Sequence, residues 1–92
     1  MRHATETDLL MVDRLLDDLR KIEGMTEKKT GIFYRKSRSF LHFHEDKGKL
    51  FADVRQGDDF DRLPASTRTD QKKLLIAVKQ VLAQPARRPE PC

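Results

Sequence analysis

Apolar residues recur along this chain with two different periods, and the changes of period mark out its elements. Leu9, Val12, Leu15, Leu16, Leu19 and Ile22 fall on one stripe at helical spacing, with Asp13, Arg14, Asp17, Asp18 and Lys21 outside it. The pattern predicts a helix over residues 6–23. Thr5 stands where a hydroxyl caps the first turn, Asp8 follows three residues later in a capping-box arrangement, and Gly24 is placed to end the helix in a left-handed turn.

From Gly31 to Arg55 the period drops to two. The run GIFYRKSRSFLHFHEDKGKLFADVR predicts strands over 32–35, 39–45 and 49–55, with turns at Ser37–Arg38 and Lys47–Gly48. If Lys47 and Gly48 form a two-residue loop, Glu45 opposes Leu50, His44 opposes Phe51, Phe43 opposes Ala52 and His42 opposes Asp53. Alternation then puts Leu41, Phe43, Leu50, Ala52 and Val54 on one face, joined by Ile32 and Tyr34. The other face carries Phe33, Arg35, Phe40, His42, His44, Phe51, Asp53 and Arg55. The first is a core face; the second mixes aromatic rings with charge.

Residues 25–30 read as a polar connector. Residues 56–66 read as an irregular loop, with Phe60 and Leu63 as anchors and Pro64 as punctuation. Thr67 caps a second helix over 68–83, whose apolar stripe is Leu74, Leu75, Val78, Val81 and Leu82. Three prolines in residues 85–92 forbid a helix there, so a disordered Pro/Arg-rich tail is expected. The fold class expected is α+β in the order α-β-β-β-α. A three-stranded antiparallel meander packs against two helices in two layers, and residues 1–84 form one domain.

Composition narrows this picture. Ninety-two residues suit one domain, and equal apolar and charged fractions of 37% suit amphipathic elements around a small core. The longest apolar run, Leu74 to Val78, falls far short of the ~20 residues needed to cross a bilayer. The first residues, MRHATETD, lack the apolar core of a secretory signal, so a cytoplasmic location and no membrane partner are expected. The only cysteine, Cys92, allows no intramolecular disulfide. The net charge of +4 is uneven: residues 26–56 and 71–92 are basic, whereas 1–25 and 57–70 are acidic.

Several kinds of chemistry compete for the mixed sheet face. His42 and His44, two apart on a strand, point the same way, and Asp53 opposite adds an oxygen; this is a candidate metal set. The same His42–Asp53 pair could serve acid–base catalysis, or simply stabilise the sheet as a cross-strand pair. The sequence frames no nucleophile in a glycine elbow and contains no phosphate-binding glycine loop. No catalytic residue and no cofactor are therefore assigned, and a non-enzymatic binding module is the preferred class. Its most specific form binds an anionic polymer, nucleic acid above all, through Arg35, Lys36, Arg38, Lys72 and Lys73, extended by Arg87 and Arg88. The competing readings are a homodimer, a homo-oligomer that covers Phe33, Phe40 and Phe51 with a second copy, and a metal-dependent enzyme at His42, His44 and Asp53.

Residues Gly24, Thr26, Glu27, Gly31 and Phe33, in the run IEGMTEKKTGIFYRKSRSFLHFHEDKGKLFADVR, carry a resemblance to the small bacterial YjbR-like α+β domains. There a helix leads through a short Thr–Glu turn into strands. The likeness covers about a third of the chain, and the tryptophan-containing segment of those domains is missing. It implies a cytoplasmic bacterial accessory domain, for which DNA binding has been suggested, and carries over no catalytic residue. The element order also matches that of double-stranded RNA-binding domains, without their loop motif.

Overall fold

A computed structural model describes residues 2–84. The expected tail, with Arg87, Arg88 and Cys92, lies outside the described residues. The elements are β1 (Arg2–His3), α1 (Glu6–Leu9), a 3-10 turn (Leu10–Val12), α2 (Asp13–Arg20), β2 (Thr26–Lys29), β3 (Ile32–Arg35), β4 (Arg38–Asp46), β5 (Lys49–Gln56), β6 (Asp59–Pro64) and α3 (Arg68–Leu82). The α+β class holds, but the three-stranded meander does not. The sheet runs antiparallel in the order β2-β3-β4-β5-β6, and β1 pairs with β4 off that path.

The helical layer begins as the sequence suggests. Thr5 accepts from the Asp8 amide at 3.2 Å and donates its own amide to the Asp8 carboxylate at 2.9 Å. The single helix expected over 6–23 is interrupted, because Val12 takes φ −117° and ψ 23°, outside the helical region. Three-residue spacing eclipses side chains in a 3-10 turn, so Leu9 and Val12 still share the buried side while Leu10 and Met11 stay exposed. Leu15, Leu16 and Leu19 continue the stripe into the core. In α3, Thr67 accepts from the Asp70 amide at 3.1 Å, and Leu74 and Val78 are buried. Leu75 is only half-buried, on the side of α3 that faces Ile22, just after α2.

The β4–β5 hairpin has the register derived above. His42 pairs with Asp53, Phe43 with Ala52, His44 with Phe51 and Glu45 with Leu50, around Lys47 and Gly48, both at positive φ. Leu41, Phe43, Leu50, Ala52 and Val54 form the sheet side of the core.

The face of β3 requires a correction. Its turn into β4 is Lys36–Ser37, not Ser37–Arg38, and both residues have positive φ. Arg35 then pairs with Arg38 and Tyr34 with Ser39, but Phe33 pairs with Leu41, so Phe40 is the extra residue of a bulge. The bulge reverses the alternation on one side of the hairpin. Phe33 and Phe40 are both buried in the core, at 1% and 2% exposure, and Ile32 and Tyr34 face outward, half-buried. The proposed phenylalanine interface therefore loses two of its three members to the core.

Two segments expected to be irregular are strands. β2, within the polar connector, is an edge strand held by its ladder to β3 and by Glu27. That carboxylate accepts from Arg20 at 2.6 Å and 3.1 Å and from the Gly31 amide at 3.0 Å. Lys28 and Lys29 on an exposed edge are what discourages pairing with another chain. β6 pairs with β5 from Gln56–Asp59 to Phe51–Pro64. Leu63 packs against the core as expected of an anchor, whereas Phe60 sits on the opposite, open face, against His42 and Arg55.

Candidate metal centre

Helices cover one face of the sheet, and the other carries a line of polar side chains across four strands. His42 and His44 stand two apart on β4. Asp53 on β5 lies opposite His42, Arg62 on β6 lies opposite Asp53, and His3 on β1 lies opposite His44. Side chains directly opposite on adjacent strands share a face, so the ladder alone brings five groups together.

The three imidazoles converge. Their ring centroids are 4.6 Å apart for His3–His44, 4.9 Å for His42–His44 and 5.8 Å for His3–His42. One ring nitrogen from each lies within 4.8 Å of the others, the one such convergence of His, Cys, Asp or Glu among the described residues. His42 Nδ1 and His44 Nε2 are 3.0 Å apart, within hydrogen-bond distance, one ring donating to the other. The Asp53 carboxylate approaches His44 Nε2 at 3.4 Å, and Arg62 grips it with two donors, at 2.8 Å and 3.0 Å.

The electrostatics favour unprotonated rings at His42 and His44. Partial burial holds His42 and His44 below the ordinary imidazole pKa; Asp53 pulls the other way, while His3 and Arg62 add to the lowering. The Arg62 hydrogen bonds hold Asp53 below the usual carboxylate range against the upward push of burial. Neutral imidazoles have a nitrogen lone pair to offer, and an ionised carboxylate beside them favours a bound cation. Phe60 and Arg55 wall one side: the Phe60 ring is 4.9 Å from His42, and the Arg55 guanidinium lies 4.5 Å over it while donating to the Ser39 carbonyl.

Of the metal set read from sequence, His42 and His44 belong to the cluster, and Asp53 stands beside them, turned toward Arg62. The residue missed is His3. A two-residue strand has no periodicity to read, and only its pairing with His44 and Glu45, continued by the Ala4 amide donating to the Phe43 carbonyl at 3.1 Å, brings it here.

The basic residues singled out for nucleic acid are not gathered in one patch. Arg35 turns to the helical side and donates to the carbonyls of Val81 and Gln84 at the end of α3. Lys36 is exposed in the β3–β4 turn, and Arg38 lies 3.8 Å from Asp58. Lys72 and Lys73 are exposed near the start of α3. At 1.5 Å per residue, Lys73 and Val81 are about 12 Å apart along the helix. Phe51 is half-buried on the open face, between His44 and Pro64.

Comparisons with protein-family models, curated proteins and solved structures found no match. What the fold and site define is a class: a two-layer α+β domain with a three-histidine cluster on the open face of its sheet. Among the described residues no helix is long and apolar enough to cross a membrane.

Proposed function

We propose that this chain is a metal-binding domain that takes one divalent cation of the zinc class on His3, His42 and His44. The observation that carries the reading is the convergence of three imidazole nitrogens within 4.8 Å on one sheet face. Ligands of a tetrahedral zinc at about 2.0–2.1 Å lie roughly 3.3 Å from one another. The 3.0 Å between His42 Nδ1 and His44 Nε2 is close to that separation, so a rotamer adjustment suffices to close the set. Imidazole suits zinc, copper and nickel more than magnesium or calcium. Asp53 adds a negative charge beside the site, and Arg62 holds Asp53.

Nucleic-acid binding is the weaker reading here, because Arg35 is engaged with α3 and the exposed lysines lie apart. Dimerisation through the phenylalanines is weaker too, with Phe33 and Phe40 in the core.

The test is a calorimetric titration with zinc on protein purified without an affinity tag, alongside elemental analysis. One equivalent per chain is expected. Loss of a supporting residue around a metal ligand costs about 10–100-fold in affinity, and removal of a ligand in His3→Ala, His42→Ala or His44→Ala should cost at least that, with circular dichroism unchanged. Absence of stoichiometric binding, or binding indifferent to all three substitutions, removes the reading.

A further inference from the structure

Resting on that metal reading, we propose that the centre is of the open kind and that its metal takes a small exogenous anion, of carboxylate or azide size, in the cleft between β1 and β3.

The cleft follows from the topology. β1 and β3 occupy the same edge of β4, but β3 pairs only as far as Leu41 and β1 begins at His44. At the junction between them a cleft of about 80 Å³ opens beside His3 and His42. Its remaining wall is mostly apolar, from Ala4, Leu9, Ile32 and Phe43. Two of the three proposed ligands thus border one small space that continues from the open face toward the core. Gly31 packs closely on Leu9: a Cβ built there would sit 2.9 Å from a Leu9 methyl carbon.

The ligand count leaves room for an outside group. A closed structural zinc site uses four protein ligands, whereas three histidines leave a position for solvent or substrate. Asp53 is the nearest fourth candidate, and Arg62 holds both of its oxygens. Charge selects the ligand. Three neutral imidazoles leave the metal its full double charge, and the Asp53 carboxylate is balanced by Arg62, so the cleft faces a net cation across an apolar wall. An anion satisfies that field better than a neutral molecule. Size selects further: one water needs roughly 10–15 Å³, so about 80 Å³ accepts a few heavy atoms and excludes a sugar or nucleotide.

The experiment loads the full chain with Co²⁺, whose visible spectrum reports its ligands, and titrates azide, acetate and benzoate. Azide and acetate should change the spectrum saturably, and benzoate should bind at least about tenfold more weakly, as steric discrimination in a small apolar pocket gives. Ile32→Ala, which widens the cleft at a half-buried position, should bring benzoate within tenfold of acetate. If Co²⁺ binds but no anion alters its spectrum, the inference is wrong and the metal reading stands. If Co²⁺ binds and the three anions are equivalent in both proteins, the anion arrives from bulk solvent and the cleft assignment is wrong. If Co²⁺ does not bind, the metal reading falls and takes this one with it. The wild-type series needs no variant to fold.

Discussion

Asp53 pairs across the ladder with His42, but its carboxylate is turned the other way, held by Arg62 at 2.8 Å and 3.0 Å, with His44 at 3.4 Å. The carboxylate is thus a bridge between a surface arginine and the histidine cluster.

Asp53→Asn tests that bridge. The amide keeps the shape but loses a negative charge beside the cluster that favours a bound cation, so zinc affinity should fall by roughly tenfold. Circular dichroism should stay native and the stoichiometry one. Calorimetry on the two proteins measures the difference, and unchanged affinity would show that the Asp53 charge plays no part in holding the cation.

Phe33→Ala tests the bulge at Phe40. A fully buried phenylalanine truncated to alanine costs about 3–5 kcal/mol through lost burial and the cavity left behind, and Phe33 is 1% exposed. Urea denaturation should show a large drop in midpoint. A change near zero would return Phe33 to the solvent face.

Arg35→Leu should loosen the end of α3. The guanidinium donates to the Val81 and Gln84 carbonyls, where helix ends have no internal donors. A cation at a helix C-terminus contributes roughly 0.3–1 kcal/mol. Amide exchange at Ala83 and Gln84, which donate to Lys79 and Val81, should speed up while the exchange of Leu74 and Val78 stays slow. Equal rates in both proteins would contradict the assignment.

The Arg20–Glu27 pair makes stability depend on pH with a definite sign. Hydrogen bonding from Arg20 first, and from the Gly31 amide, holds Glu27 below its ordinary carboxylate pKa against the upward push of burial. A carboxyl whose folded pKa is depressed adds stability that is full above its unfolded pKa and lost as pH falls through the folded value. Glu27→Gln should therefore be less stable than wild type at neutral pH, and the gap should close on acidification through that window. Thermal denaturation across the acid range measures it. A gap that persists at the acid end would mean the pair does not titrate on folding.

Much of the fold was legible because a local rule and the tertiary outcome coincide. The β4–β5 hairpin combines strict alternation with a glycine at the turn, so the His42–Asp53 and His44–Phe51 pairings can be derived from sequence alone. Thr5 and Thr67 cap where short-range hydrogen bonding dictates, and the leucine stripes of the first helical segments and α3 find the core by period. His42 and His44 could be paired as candidate ligands for the same reason: two-residue spacing on a strand settles the face.

The remainder depended on contacts between distant segments. β2 and β6 carry too few apolar residues to alternate, because edge strands are held by backbone ladders that leave no mark in side-chain pattern. Bulging Phe40 costs one ladder pair and buries two aromatic rings, a trade that only the assembled core decides. His3 joins the cluster through a strand of two residues, whose stability comes wholly from the edge of β4 it pairs with. Sequence determined which histidines share a strand face; tertiary structure decided that a third would meet them, because pairing across a sheet edge is a property of the folded whole.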